Sequence, residues 1–185
     1  WKLIESQIKN SYKKYKNSTY AFVLDSLYTE DQRYRRLAGF VQDLEGYNIE
    51  IDTVIWDYPK ISDYEWHQRD SAIYHHLKMV LDEYGIPKTS EVGKRPAKSA
   101  AVILIHSHDS LALVKYLPIY EANCKEGEGD WNYYATMYDK LCTLQGVLQR
   151  YGTQFVTDPE NPDRLKRYKH ESKDKMNEWR KKIAI

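Results

Sequence analysis

Between residues 62 and 84 the apolar side chains of Ala72, Ile73, Leu77, Val80 and Leu81 recur at three- and four-residue steps, and the run stops at Gly85 and Pro87. That spacing lays one apolar stripe along an α-helix, which must be buried against something. Glycine then provides a left-handed C-cap, and proline cannot continue the helix. The same period recurs through most of the chain. Ser18 is the expected N-cap of a helix through Tyr20, Phe22, Val23, Leu24 and Leu27. Thr29 is the expected N-cap of the next, with Asp31 and Gln32 in its first turn and Leu37, Phe40 and Val41 on its apolar face. Residues 88–96 read as loop. Residues 97–105 are apolar on every side, which fits a buried strand or a buried helix. The alanines, and Pro96 as a first helical residue, favour a helix running on towards Tyr116, with Pro118 kinking or restarting it. Asp130 is the expected cap of a helix through Tyr134, Met137, Tyr138, Leu141 and Leu144. A last, highly charged helix is expected after Pro159 and Pro162, reaching Trp179. The expected fold is all-α: a single-domain helical bundle of about six helices over residues 18–185, preceded by a basic helical extension over residues 1–17.

A chain of 185 residues can bury a core without staples. Its formal charge of +1 supplies no global field for nucleic acid, and there is no specific nucleic-acid signal. Charge is nevertheless uneven, with nine Lys or Arg against three Asp or Glu over residues 164–182. Residues 9–16 are basic too, with Tyr12 and Tyr15 between the lysines. Solvated helical faces and a weak surface for an anionic partner both fit these ends. The two cysteines, Cys124 and Cys142, form no Cys-x-x-Cys pair, so zinc-ribbon and thioredoxin-like motifs are absent. No apolar run approaches the ~20 residues that span a bilayer. The first residue is Trp1, which leaves a removed leader among the expectations. Seventeen tyrosines beside three phenylalanines imply many half-buried ring positions. Phosphate-loop, dinucleotide-binding and nucleophile-elbow motifs are also missing.

Three clusters remain as candidate chemistry. Asp31, Gln32 and Arg35 share a helical face, with the first and last at i,i+4, so carboxylate and guanidinium can meet. His106, His108 and Asp109 follow the apolar run and invite a metal reading. On a helix, however, the two histidines lie about 200° apart and cannot chelate one ion. One of them reads as a buried polar group or as an acid–base group. His67, His75 and His76 read as structural. Gln149, Tyr151, Gly152, Thr153 and Gln154 crowd hydrogen-bonding groups around a glycine turn, where the backbone can approach a ligand closely. Amides and hydroxyls recognise donor and acceptor patterns and do not transfer protons at neutral pH. Alternatively, they tie a helix end to the core.

Taken in order, Asp31-Gln32-x-x-Arg35, Glu83-Tyr84-Gly85-Ile86-Pro87 with Val92-Gly93, residues 105–109, Tyr134-Ala135-x-x-x-Asp139 and Gln149-x-Tyr151-Gly152-Thr153-Gln154 resemble the bacterial domain-of-unknown-function family 6624. The likeness covers roughly residues 20–170. It implies a helical protein, secreted or lipid-anchored in many members, and adds Asp139 to the site set; a cytoplasmic location stays open beside it. No activity comes with it. The family segment reads Gln-His-x-Asp where this chain has His106, Ser107, His108 and Asp109, so one histidine substitutes spatially or none is required. The expected function is recognition of a small polar ligand, glycan- or nucleotide-like, by Asp31, Gln32, Arg35, Asp109, Asp139, Gln149, Tyr151, Gly152, Thr153 and Gln154. The alternative is a metal-independent hydrolase or transferase with Asp31, His106 or His108 as general base and Arg35 stabilising charge. The third reading is a protein-interaction module. No cofactor or metal is expected.

Overall fold

The structure, a computed structural model, describes residues 10–46 and 62–185, with side chains excepted at 34, 36–46, 63, 162 and 163. Among the described residues seven helices and one two-stranded sheet follow in order. They are α1 (Ser18–Gly46), α2 (Asp63–Tyr84), α3 (Thr89–Val92), α4 (Lys94–His106), α5 (Ser110–Lys125), α6 (Trp131–Leu144), β1 (Phe155–Asp158), β2 (Asn161–Arg167) and α7 (Lys173–Lys182). The fold is therefore mostly helical, an all-α bundle carrying a small hairpin. No helix among the described residues is long and apolar enough to cross a membrane.

Helix α4 explains the architecture. It is apolar on most sides because it packs against α1, α2, α3 and α6. Ala100, Ala101, Ile103 and Leu104 are almost wholly buried, and they meet Tyr20 and Leu24 of α1, Leu77 of α2 and Met137 of α6 in one core. Small alanines let the neighbouring helices approach, and the large side chains fill the remaining space. Tyr20 keeps its ring inside the core while its hydroxyl donates to the Gly85 carbonyl at 2.6 Å, pinning α1 to the end of α2. Helix α2 begins with a capping box. Ser62 Oγ accepts from Glu65 N–H at 3.3 Å, and Glu65 accepts from Ser62 N–H at 2.9 Å. It stops at Gly85, whose φ of +78° other residues rarely adopt.

Several sequence expectations are corrected. Helix α1 starts one residue after Asn17, whose side chain accepts from Tyr20 N–H at 3.1 Å, so Asn17 and not Ser18 caps it. Thr29 caps nothing: α1 runs through it unbroken, and its hydroxyl donates to the Asp25 carbonyl at 2.7 Å, a bond a threonine inside a helix can make to its own backbone. Leu37, Phe40 and Val41 lie outside the described side chains, as residues 1–9 of the N-terminal extension lie outside the described residues. Residues 12–17 are turns rather than helix. Residues 88–96 hold the single-turn α3 and the start of α4, in which Pro96 occupies the third position, still within the turn whose N–H groups need no helical partner.

Helix α4 does not continue to Tyr116. It breaks at His106, and after an extended Ser107 the chain restarts with Asp109 as N-cap, its carboxylate accepting from Ala112 N–H at 3.0 Å. Pro118 then lies inside α5; burial of Leu113, Leu117 and Tyr120 around it offsets the ~3 kcal/mol a proline costs there. The charged helix after Pro162 is in fact an antiparallel hairpin with Phe155 opposite Arg167, Val156 opposite Lys166 and Thr157 opposite Leu165. The Asp158-Pro159-Glu160 turn, with Asp158 accepting from Glu160 N–H at 3.2 Å, reverses the chain. Helix begins again only at Lys173, capped by Ser172.

Candidate functional site

The long helix α1 lays Asp31 against the C-terminal end of α4. Asp31 is buried, and its carboxylate is surrounded by donors. His106 Nδ1 lies 2.9 Å from Oδ1 and 3.0 Å from Oδ2, Gln32 Nε2 donates at 2.7 Å, and Arg35 Nη2 reaches it at 3.4 Å. Burial alone raises this carboxyl's pKa, but the His106 hydrogen bond, helped by Gln32 and Arg35, outweighs burial and holds it below the usual aspartate range. A carboxylate on Nδ1 assigns the proton to that nitrogen and leaves the Nε2 lone pair unshared. The His106 side chain is one-quarter exposed at 25%, so Nε2 has a route to an incoming molecule.

The i,i+4 pairing of Asp31 and Arg35 is present but long. Arg35 makes its closer contact with Asp70 of α2, Nη2 lying 2.7 Å from each carboxylate oxygen. Its guanidinium also sits over the Trp66 ring, 5.1 Å from the centroid. Neither Asp70 nor Trp66 was foreseen. Their i,i+4 spacing on α2 was the available signal, since it puts a ring and a carboxylate on one face. His67, on the same helix, places its ring 6.3 Å from that of His108. Burial, then Lys140 and then His67 push the His108 pKa down, against Asp70. Lys140 of α6 was also missed. It is half-buried, and burial followed by the Arg35 charge lowers its pKa. No carboxylate among the described residues pairs with it. Asp109 stands one step along the α4–α5 break. It is engaged as a cap and accepts from the Tyr74 hydroxyl at 2.6 Å, a bond that, with the backbone, lowers its pKa despite some burial.

The glycine turn forms a separate set. Asp139, fully buried on α6, accepts at Oδ1 from the N–H groups of Arg150 at 2.9 Å and Tyr151 at 3.0 Å. At Oδ2 it accepts from Thr153 N–H at 2.9 Å and Thr153 Oγ1 at 3.0 Å. Gln149, fully buried as well, donates from Nε2 to the carbonyls of Gln154 and Tyr168, both at 3.0 Å, and accepts Gln154 N–H at 2.6 Å. Gln154 Nε2 reaches the Thr136 carbonyl at 3.4 Å. Tyr151 is buried beside Tyr134 and Tyr138, and its carbonyl takes two hydrogen bonds from Arg180. Gly152 has a φ of +69°, and a Cβ there would lie 2.8 Å from Met176 Sδ.

The structure thus brings together Asp31, Gln32, Arg35 and His106, with His108 beside them. It gathers Asp139, Gln149, Tyr151, Gly152, Thr153 and Gln154 in a second place. No hydrogen bond among the described residues joins the two sets; they share only helix α6, through the neighbours Asp139 and Lys140. No three His, Cys, Asp or Glu side chains converge as metal ligands among the described residues. Cys124 and Cys142 are both free and buried. A cavity of about 680 Å³ opens elsewhere, against Lys94, Lys98, Trp131 and Tyr133, and none of the candidate residues lines it. Compared with family models, characterised proteins and solved structures, the chain matches none.

Proposed function

We propose that the Asp31–His106 pair is the acid–base centre of a hydrolase or transferase that works with its own side chains. The observation that carries this reading is His106 Nδ1 seated on both oxygens of a buried carboxylate while the ring stays partly exposed. Asp31 fixes the tautomer and stabilises the imidazolium, and His106 Nε2 takes a proton from water or a substrate hydroxyl. Arg35, held by Asp70 and Trp66, is a donor already fixed in place for charge that develops beside the pair. The resemblance to family 6624 remains part of this proposal, because Asp-Gln-x-x-Arg supplies three of the residues.

The test is a screen of chromogenic esters, phosphoesters and glycosides with wild type, His106→Ala and Asp31→Asn. Whichever class is turned over, each variant is expected to lose about 10²–10⁴-fold in kcat/KM. Equal turnover by wild type and His106→Ala overturns the assignment. A second reading keeps the same cluster as a recognition site for a glycan- or nucleotide-like ligand without turnover. It is supported by the immobilised Arg35 and the Gln32 amide, and saturable binding with no product in any class would favour it. The turn at 149–154 is not part of either reading, because Gln149 is bonded to backbone and the N–H groups and hydroxyl around Thr153 are bonded to Asp139.

A further inference from the structure

Around the Asp31–His106 pair the hydrogen-bond donors outnumber the acceptors. Both nearby carboxylates are occupied, Asp31 by His106, Gln32 and Arg35, and Asp70 by Arg35. Lys140 Nζ has no carboxylate partner among the described residues, although α6 holds it half-buried within reach of the Arg35 charge. The Nε of Arg35 is buried with no hydrogen-bond partner. His108 makes no hydrogen bond to a described residue, lies 6.3 Å from the ring of His67 and feels the Lys140 charge. A half-buried ammonium and an unsatisfied guanidinium N–H are costly unless an acceptor reaches them. The surplus comes from α1 through Arg35 and from α6 through Lys140, while α2 and the α4–α5 break add the His67 and His108 imidazoles, which carry a donor and an acceptor each when neutral.

We infer that this donor cluster seats an oxyanion of the substrate, a phosphoryl or carboxylate group, with Lys140 as its counter-ion and His106 Nε2 beside it. The inference rests on the acid–base reading above and names its substrate class. Arg35 and Lys140 balance Asp31 and Asp70 in charge, so the free site is neutral when its imidazoles are neutral. An entering oxyanion makes protonated His108 favourable. His108 faces Lys140 from α6 and His67 and Asp70 from α2, with His106 on the preceding helix; of these only Asp70 is negative, and it already holds Arg35. Anion binding therefore takes up a proton and strengthens as the pH falls through the ordinary histidine range.

The experiment titrates inorganic phosphate and, separately, acetate into the whole chain while the imidazole nitrogen signals of His106 and His108 are followed by NMR. At least one ion is expected to shift both signals saturably. Lys140→Met, which keeps the unbranched stem as far as Cε and removes the ammonium, is expected to weaken binding about tenfold, and Lys140→Arg to restore it. Phosphate alone assigns a phosphoryl group, and acetate alone a carboxylate. Signals unmoved by either ion, or equal binding by Lys140→Met and wild type, overturn the inference. The two proposals fail separately. Oxyanion binding with no substrate turned over sinks the acid–base reading and leaves the anion seat. Turnover that Lys140→Met matches, with no oxyanion bound, does the reverse.

Discussion

Asp31 and Asp139 are buried aspartates on helices, and each collects about as many donors as a carboxylate can hold. They differ in where the donors come from. Asp139 takes three backbone N–H groups and one hydroxyl from residues 150–153, so its bonds shape the chain itself. Asp31 takes an imidazole, an amide and a guanidinium, all from side chains, and the imidazole ring among them stays partly exposed. A carboxylate that binds backbone is structural because its partners have nothing else to give. One that binds side chains holds them in a chosen orientation.

Truncating the two aspartates tests this contrast and carries the largest expected effect. Asp139→Ala strands buried N–H groups and is expected to cost about 3–5 kcal/mol. In urea the midpoint falls and the hairpin and α7 lose protection. Asp31→Ala leaves partners near solvent, which rehydrate, so the expected cost is about 1–2 kcal/mol, with the catalytic loss stated above. Equal costs would break the comparison. On the turn side, Gln149→Ala removes both donors to the Gln154 and Tyr168 carbonyls and opens a cavity, for about 2–3 kcal/mol. Hydrogen exchange reports it at the Tyr168 amide, which donates to Gln154 O at 3.0 Å. Gly152→Ala follows at about 1–2 kcal/mol, because φ is positive and the new methyl meets a flexible methionine that can yield. Unchanged thermal midpoints in either variant would show that the turn is held by something else.

The legible parts of the fold were local. The start of α2 at Ser62, its stop at Gly85 and the Asp130 cap follow from residues a few positions apart, and so does the face shared by Asp31 and Arg35. The break after His106 was hidden because alanines and branched residues continue the pattern, while the stop depends on Asp109 capping the next helix and reaching Tyr74 from another one. The hairpin was hidden because charged residues and two prolines read as a helix start. Its open end is bridged by Gln149, which donates to the carbonyls of Gln154 and Tyr168 on either side, and β-propensity depends on such context. The central pair of the site, Asp31 with His106, lies 75 residues apart, and no periodicity reports that. The turn residues were visible as a set. What a list of side chains cannot say is whether an amide faces a ligand or its own backbone.

The smallest expected effect concerns pH. The folded pKa of Asp31 lies below its unfolded value, because the His106 bond, aided by Gln32 and Arg35, more than offsets burial. Between those two values the unfolded chain binds a proton that the native chain does not. This contribution is complete above the ordinary aspartate pKa and is lost as pH falls through the folded one. His108 is also depressed, by burial first and then by Lys140 and His67. Its contribution is therefore complete above the ordinary histidine pKa and declines as the pH drops below it. The two steps separate on the pH axis. Asp31→Asn should flatten only the lower step of a plot of stability against pH, and His108→Gln only the upper. Asp109 and the surface carboxylates at Asp82 and Asp158 are depressed too, but they contribute equally to wild type and to both variants and cancel in the difference. If Asp31→Asn leaves the lower step intact, the carboxylate does not hold His106 in solution, and the contrast with Asp139 loses its basis.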